Sequence, residues 1–334
     1  MDNAPQPVVS SLLRPKLTAP QVASDSLCRP QVLEALAGHP NARLVLFSAP
    51  AGSGKTTALV AFAQACQERG SAVAWFSLDD EDDEPARFFA QLIETLNCAA
   101  PGIGQDALGY LQNTMSVPVA AVMESLLVNL ADIHKPLLLV LDDVHLLQDR
   151  ELFAAINRLV QLAPAGFTLA LGSRAQPPLN LATWRAKGLL LEIGPDELRM
   201  THAETRDYLD RLGLELNDKA LNELHSHTEG WMVGVHLASL WLRNQVQIPA
   251  NLPDIGVGQA AVGDYLLRSV FEQLSVDMQE ALLALGIARQ LSGDLASALT
   301  GRTDGQALLE RLEDMQLFLL PLDRERQWYR FHHL

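Results

Sequence analysis

The sequence is poor in cysteine and contains no long apolar run. Its three cysteines, Cys28, Cys66 and Cys98, lie far apart and in no metal-ligand spacing. We therefore expect them to be reduced and mostly buried rather than paired in disulfides or bound to zinc. No apolar run approaches the roughly 20 residues that span a bilayer, and the first residues lack the features of a signal peptide. These absences predict a cytoplasmic protein with no membrane partner.

Basic side chains are also scarce. The chain has 25 Lys and Arg residues against 40 Asp and Glu residues, which gives a formal net charge of −15. A nucleic-acid-binding surface would carry a basic patch, so this composition argues against such a surface in this stretch. With 334 residues, 48% of them hydrophobic, the chain is long enough for two or three domains with substantial cores.

The most specific motif is a phosphate-binding loop, Ala-Pro-Ala-Gly-Ser-Gly-Lys-Thr-Thr, at residues 49–57 between an apolar run and an alanine-rich helical stretch. Such a loop wraps backbone N–H groups around a phosphate, places Lys55 on the β- and γ-oxygens and places the Thr56 hydroxyl on Mg²⁺. The pattern departs only at its first position, where Ala49 replaces glycine, and this matters only if that residue needs a positive φ. The predicted nucleotide-binding residues here are Ala51, Gly52, Ser53, Gly54, Lys55, Thr56 and Thr57.

The second motif is a pair of acids, Asp142 and Asp143, directly after the apolar run at residues 136–141. A buried parallel strand delivers such acids to the carboxyl edge of a sheet, opposite the phosphate-binding loop. We predict that Asp142 holds Mg²⁺ through its water shell and that Asp143 polarises the attacking water. His145 either senses the γ-phosphate or caps the next helix.

Three further residues are candidates for the same site. Arg174 follows the fourth predicted strand, where we favour contact with phosphate over a salt bridge to the acidic run at 79–84. Arg29 precedes the first strand, where it either reaches back to a nucleotide or is a solvated charge at a helix start. Trp231, at another helix start, either lies in a core or faces the adenine. The acidic run itself is expected to be a solvated loop.

The order of elements predicts the fold class. Five apolar runs alternate with helical stretches up to residue 194, which predicts an α/β P-loop NTPase domain with a parallel five-stranded sheet and helices on both faces. Residues 99–116 are expected to be a loop. Beyond 194 the pattern is helical, with a capping box at Thr201 and Glu204, and it ends in two β-prone runs that predict a winged helix. The predicted domains are an N-terminal arm (1–40), the nucleotide-binding domain (41–194), a helical lid (195–250) and a winged-helix domain (259–334).

Several stretches together resemble one family: SSLLRPKL, APAGSGKTT, WFSLDDEDDEPARFFAQL, LLLVLDDVHLL, SRAQPPLNLATWRAKGLLLEI, TEGW and the terminal YRFHHL. In this order they are similar to the ATPase part of the large ATP-binding LuxR-type (MalT-like) transcriptional regulators, which belong to the STAND class of signal-transduction NTPases. The resemblance runs from about residue 10 to the last residue. Within this family, Ala49 is not a departure.

The resemblance implies a regulatory switch. An ADP-bound closed form rests, and ATP with an inducer gives an open form that self-associates. Lys55 and Thr56 match the family's phosphate and Mg²⁺ residues, Asp142 and Asp143 its acidic pair, and Arg174 its strand-four arginine. His332 matches a histidine that reads the ADP phosphate from the winged helix in related NTPases. DNA is implied as a partner only through a C-terminal domain that lies beyond residue 334.

Two other functional classes stay open at this point. A metabolic P-loop kinase would need an acceptor pocket with its own base, and the sequence gives no sign of one. A nucleotide-dependent scaffold would bind ATP or ADP without hydrolysing ATP, whereas Asp143 favours a slow ATPase. The sequence does not name the inducer or the target genes.

Overall fold

The computed structural model describes residues 14–20, 30–112, 118–243, 271–315, 317, 319–323 and 325–331. Within these ranges, the chain divides into two compact units. The first comprises the described parts of 14–48 together with 55–194, and the second comprises 49–54 with the described residues after 194. No helix among the described residues is both long and apolar enough to cross a bilayer.

The first unit is built on a sheet of five parallel strands, in the order β2-β3-β4-β1-β5. The register pairs Ser48 with Ser173 and Ser77 with Asp142, so the carboxyl ends of these strands lie at one edge. This confirms the predicted parallel five-stranded sheet. The strands are β1 (Leu44–Ser48), β2 (Ala72–Ser77), β3 (Leu137–Asp142), β4 (Phe167–Ser173) and β5 (Leu190–Ile193).

Helices cover both faces of this sheet. Successive side chains of a strand point to opposite faces. Leu44 and Leu46 accordingly share a core cluster with residues of α3, α5 and α6, whereas the Phe47 ring lies 6.5 Å from the Phe62 ring of α2. The helices are α1 (Pro30–Ala37), α2 (Lys55–Glu68), α3 (Pro85–Ala99), α4 (Gln105–Gln112), α5 (Val119–Ala131), α6 (Arg150–Leu162) and α7 (Leu181–Ala186).

Helix α4 lies in the stretch 99–116, where we expected only a loop, so that expectation is wrong. The helix has glycine at its fifth position and is short, which weakens its local signal. Tertiary packing compensates, because Ala107 is fully buried and Leu108 and Leu111 pack against the main core. Burial of one face, rather than intrinsic propensity, thus forms this helix.

The acidic run after β2 is not simply a solvated loop. It forms a short 3-10 helix, Asp80–Asp83, in which Asp82 is completely buried. The Asp82 carboxylate accepts hydrogen bonds from Lys16 Nζ at 2.7 Å, Gln91 Nε2 at 2.7 Å and the Asp79 backbone N–H at 2.8 Å. A buried carboxylate is stable only with such partners, so the solvated-loop expectation is wrong for Asp82.

The cysteine expectation also needs correction at one position. Cys98 is exposed at the end of α3, whereas Cys66 is half-buried and its thiol pKa is raised by burial. Within the described residues, neither of these two thiols takes part in a disulfide. Cys28 lies outside the described residues.

The second unit begins with helices α8 (Pro195–Leu198), α9 (His202–Arg211), α10 (Asp218–Thr228) and α11 (Met232–Arg243). The predicted capping box at the start of α9 is confirmed. The Glu204 N–H donates to the Thr201 hydroxyl at 3.2 Å, and the Glu204 carboxylate accepts from the Thr201 N–H at 2.7 Å. Met200, Leu221 and Val235 are among the buried residues of the helical core.

The last part of the second unit contains helices α12 (Val276–Leu285), α13 (Gly293–Thr300) and α14 (Gly305–Asp314). An antiparallel pair follows, β6 (Leu319–Pro321) with β7 (Tyr329–Phe331). Tyr329 is fully buried within this core, where burial and nearby Glu313 raise its pKa to about 12. Helices followed by a hairpin form the predicted winged helix. The four domain boundaries given above stay predictions.

Candidate phosphate-binding site

The loop between β1 and α2 has the backbone that its sequence requires. Gly52 and Gly54 adopt φ angles of 73° and 83°, a left-handed region that favours glycine. Ala49 is not among the described non-glycine residues with positive φ. Alanine in place of the motif's first glycine therefore imposes no such strain here.

The start of α11 packs directly on this loop. The Trp231 indole N–H donates to the Ala51 carbonyl at 3.1 Å, and the Val233 backbone N–H donates to the Gly52 carbonyl at 3.1 Å. A methyl group at Gly52 would lie 2.8 Å from Val233 Cγ2. Glycine at this position therefore also allows the Val233 side chain to pack closely against the loop. Trp231 is only 6% exposed and uses its indole N–H on the loop. A contact between Trp231 and an adenine stays a prediction.

Lys55 opens α2 with its side chain almost wholly buried. Burial lowers the pKa of Lys55 to about 8, an effect that Asp143 opposes and Arg174 reinforces. A buried ammonium close to a guanidinium is an unfavourable arrangement of charge. An anion with several negative charges would relieve it.

Thr56 and Asp142 form a hydrogen-bonded pair of oxygen donors. The Thr56 hydroxyl donates to Asp142 Oδ2 at 2.7 Å, and the Asp143 backbone N–H donates to Asp142 Oδ1 at 3.0 Å. Asp142 is 2% exposed, and burial together with the Asp143 charge raises its pKa to about 6. The carboxylate is thus held in place while its charge remains poorly solvated.

Gly172, on the neighbouring strand β4, makes room for this carboxylate. A Cβ at Gly172 would collide with Asp142 Oδ1 and would lie 2.8 Å from Leu59 Cδ1. The sequence analysis did not select Gly172. A glycine inside an apolar strand is the signal that was available, because it often marks a close approach of another group.

Asp143 turns the chain away from the end of β3 in a strained conformation. Its φ of 60° and ψ of 37° lie in the left-handed region, which is uncommon for a non-glycine residue. Burial raises the pKa of the Asp143 carboxyl, and the positive charges of Lys55 and Arg174 oppose the shift. Strain of this kind clusters at functional sites.

Arg174 and His145 complete the cluster. Arg174 follows β4 and lies close enough to influence the titration of Lys55, Asp143 and His145. Burial lowers the pKa of His145 to about 4, with Arg174 and Lys55 adding to the effect. Asp149 caps α6 by accepting from the N–H groups of Glu151 and Leu152, so the helix-capping alternative for His145 is wrong.

These side chains suit a polyphosphate with a divalent cation. Buried Lys55 and half-buried Arg174 supply positive charge. Thr56 and Asp142 supply the hard oxygen atoms that Mg²⁺ prefers. Among the described residues, no three His, Cys, Asp or Glu side chains cluster in a way that would hold a metal ion. Mg²⁺ commonly binds through one or two protein oxygens together with phosphate and water.

The predicted site residues therefore have different outcomes. The structure brings together Lys55, Thr56, Asp142, Asp143 and Arg174, and Thr57 is the next residue of α2. Arg29 and His332 lie outside the described residues. The sequence analysis missed Glu229, whose carboxylate accepts from Arg330 Nη1 at 3.0 Å beside the segment 231–233 that packs on the loop.

Comparison with known proteins adds two matching family models. An AAA domain matches residues 39–177 and a MalT winged helix domain matches residues 267–334. The Walker-type ATPase PABY2304 of Pyrococcus abyssi has a similar fold, with a TM-score of 0.62 at 16% identity over 95% of this chain and 96% of that chain. At this identity the likeness concerns the fold alone.

Relatives by sequence extend over nearly the whole chain. The HTH-type transcriptional regulator MalT of Serratia proteamaculans is 32% identical over 97% of this chain and 36% of that protein. The same regulator of Vibrio parahaemolyticus is 32% identical over 96% of this chain and 35% of that protein. The chain thus spans about a third of the length of these relatives. With its AAA and winged-helix portions in this order, the chain matches the ATPase module of the MalT-like, large ATP-binding LuxR-type regulators over nearly its whole length.

Proposed function

We propose that this chain is the nucleotide-operated switch module of a transcriptional regulator, which binds ATP or ADP with Mg²⁺ and hydrolyses ATP slowly. The observation that carries the proposal is the cluster of Lys55, Thr56, Asp142 and Asp143 at the carboxyl edge of the sheet, in which Lys55 and Asp142 are buried. Charges of both signs lie there in a poorly solvated setting, which suits a ligand that carries both an anion and a cation.

Binding would draw on distinct groups of this chain. The backbone N–H groups of residues 51–54 and the start of α2 would face the phosphates. The Lys55 ammonium would donate charge-assisted hydrogen bonds to them, while Thr56 and Asp142 would hold Mg²⁺ directly or through water. Arg174 adds a second positive charge at the same edge of the sheet.

Hydrolysis would depend chiefly on Asp143 and Arg174. Bound ATP supplies the phosphoryl group that is transferred to water. Asp143 would accept a proton from that water. The nearby positive charges of Lys55 and Arg174 favour the ionised form of its carboxyl group, which is the form that can act as a base. Arg174 would balance the negative charge that develops.

The switch itself is proposed from the family. An ADP form would be closed and an ATP form, together with an inducer, would open and self-associate, with His332 reading the ADP phosphate. DNA would be bound through a part of the regulator other than this chain. The inducer is either a small molecule or a protein.

Single-turnover hydrolysis of ATP with excess protein tests this proposal. We expect Asp143→Asn to keep the wild-type Kd for Mg²⁺–ATP within about twofold and to lower the hydrolysis rate at least about a hundredfold, because it keeps the shape and removes the base. Asp314→Asn, at the end of α14, serves as the matched control. Hydrolysis by Asp143→Asn at the wild-type rate would refute the assigned role, and ATP binding without any turnover in the wild type would favour the scaffold alternative.

A further inference from the structure

The acidic turn after β2 lies beside the acid pair at the end of β3. The register pairs Ser77 with Asp142, and the Leu78 N–H donates to the Asp142 carbonyl at 3.0 Å. The chain then enters the 3-10 turn Asp80–Asp83. The acidic turn and Asp143 therefore follow two neighbouring strands at the same edge of the sheet.

Asp83, the last residue of this turn, contacts the far end of the segment that begins at Asp143. Its Oδ1 atom accepts hydrogen bonds from the backbone N–H groups of Gln148 at 2.7 Å and Asp149 at 2.8 Å. Hydrogen bonds from N–H groups to a carboxylate are charge-assisted and stronger than those to a neutral oxygen. The two contacts span 65 and 66 residues of sequence, so they connect two separate loops of the site.

Asp83 can act as an anchor because both of its neighbours in the chain are fixed. The side chain of Asp82 is completely buried, and its carboxylate accepts hydrogen bonds from Lys16 and Gln91. Glu84 caps helix α3 with its side chain. The backbone at Asp83 therefore has little freedom, and its half-buried carboxylate is held in one place.

Asp143 depends on restraints of this kind. A left-handed backbone is strained for a non-glycine residue and persists only where the surrounding structure over-determines it. Strand β3 fixes Asp143 on one side. On the other side, the Leu146 N–H donates to the Asp143 carbonyl at 3.0 Å, and the bonds to Asp83 restrain the chain beyond that turn.

We propose that Asp83 is a positioning residue for Asp143: by accepting the N–H groups at 148 and 149, it fixes residues 143–149 and so holds the Asp143 carboxylate at the edge of the sheet. This inference rests on the proposed function, in which Asp143 accepts a proton from water. Asp83 acts through the backbone of this segment and not on the reacting atoms.

Amide hydrogen exchange tests the positioning without reference to activity. The Asp143 N–H donates to Asp142 Oδ1, so its exchange rate reports whether the backbone at Asp143 is kept. We would follow exchange by NMR without added nucleotide. Asp83→Ala is expected to raise the exchange rate of this amide, and of those at 148 and 149, at least about tenfold. Asp83→Asn keeps an acceptor oxygen and should stay within about threefold of the wild type. Unchanged exchange at Asp143 in Asp83→Ala would overturn the proposal.

Single-turnover hydrolysis tests the consequence for the reaction. We expect Asp83→Ala to lower the rate about tenfold at a Kd for Mg²⁺–ATP within about twofold of the wild type, because other residues contact the nucleotide. Asp83→Asn should recover most of that loss, which separates the acceptor from the charge. Asp80→Ala is the matched control, because it removes the same charge from an exposed side chain of the same turn. Wild-type turnover in Asp83→Ala, or an equal loss in Asp83→Asn, would refute the positioning role.

The two measurements separate this inference from the function on which it rests. A wild-type protein that binds ATP and never hydrolyses it contradicts the ATPase part of the proposed function, and the exchange rates then decide the role of Asp83 alone. If Asp83→Ala does not fold, Asp83→Glu takes its place with the same expected changes, because the extra methylene displaces the carboxylate while the charge is kept. Slow turnover with wild-type exchange at Asp143 would refute positioning and leave the ATPase assignment intact.

Discussion

At the scale of single residues, the site consists of ionisable groups held where water solvates them poorly. Lys55 and Asp142 are 7% and 2% exposed, and burial shifts the pKa of each toward neutrality. Such groups destabilise the free protein unless charges of opposite sign are close by. Ligand phosphate and Mg²⁺ would supply those charges, so affinity should depend on the protonation of these two side chains.

The affinity for Mg²⁺–ADP should fall at alkaline pH. Lys55 must be protonated to bind phosphate, and its pKa in the free protein is about 8. Affinity is therefore expected to be steady between about pH 7 and 8, where Asp142 is ionised and Lys55 protonated, and to decrease by up to about tenfold per pH unit above that range. Calorimetric titrations between pH 7 and 9.5 would measure the slope.

Substitution of the lysine checks the origin of that slope. Lys55→Met removes a charge-assisted contact of about 1.5–3 kcal/mol, so affinity at pH 7 should drop at least about tenfold and the alkaline slope should vanish. Lys219→Met, at a side chain that is 66% exposed, is the control and should bind as the wild type does. A wild-type slope retained in Lys55→Met would assign the titration to another group.

Gly172 offers a second prediction at this scale. Gly172→Ala would push a methyl group against Asp142 and Leu59, at an expected cost of about 1–3 kcal/mol in the free energy of unfolding. Gly109→Ala is the matched control, because its Cβ would meet no atom within 4 Å and the change should stabilise helix α4 by about 0.4–1 kcal/mol. Thermal melting of both variants measures the contrast, and equal melting temperatures would contradict the close approach at Gly172.

At the scale of elements, one acid joins the hairpin to the helices of the second unit. Glu229 ends α10 with a φ of 47°, a strained value for a non-glycine residue. Its carboxylate pairs with Arg330 of β7 at 3.0 Å and with Arg199 at 3.5 Å. The next residues, Gly230 and Trp231, lead to the contacts with the phosphate-binding loop. The ion pairs thus fix the end of α10 beside that segment.

A double-mutant cycle on Glu229→Gln and Arg330→Met should show a coupling free energy of about 1–2 kcal/mol. The Glu229 side chain is 12% exposed and that of Arg330 is 25% exposed, so solvent screens this pair less than a surface pair. The control cycle is Arg206→Met with Asp218→Asn, where the acid is 89% exposed and the expected coupling is below about 0.5 kcal/mol. Chemical denaturation gives both values. Equal coupling in the two cycles would mean that the Glu229 pair adds nothing beyond a surface contact.

At the scale of the whole molecule, net charge governs which partners approach. A charge of −15 repels the phosphate backbone of DNA over the Debye length. The winged helix alone would suggest that the chain binds DNA, since such domains often do. In the sequence of residues 323–326, however, two acids alternate with two arginines, and these charges cancel.

We therefore expect that residues 1–334 do not bind DNA with sequence selectivity. Specific binding draws much of its free energy from neutralisation of phosphates by Lys and Arg, which this chain does not supply in excess. Fluorescence anisotropy at 50 and 200 mM salt, with a promoter fragment and a scrambled duplex, is the measurement. Saturable binding that prefers the promoter and persists at the higher salt would place a DNA-reading surface within this chain.

The sequence by itself determined the features that depend on local pattern. Glycines at 52 and 54, a lysine at the start of a helix and two acids at the end of an apolar run have few structural solutions. Alternation of strands with helices implies a parallel sheet. The capping box at Thr201 and Glu204 is likewise local, since its two hydrogen bonds join residues three apart. Each of these contacts is encoded within a few residues of the chain.

Only the tertiary structure decided what depends on contacts between distant residues. The burial of Asp82 requires Lys16, 66 residues away, and the contact of Trp231 with Ala51 spans 180 residues. The need for glycine at 172 arises from the carboxylate of Asp142 on the neighbouring strand. Composition and periodicity carry no information on which distant groups meet, because long-range pairing is settled by the packing of the whole core. The shifted pKa values of Lys55, Asp142 and His145 follow from that packing, and so does the chemistry proposed for the first two.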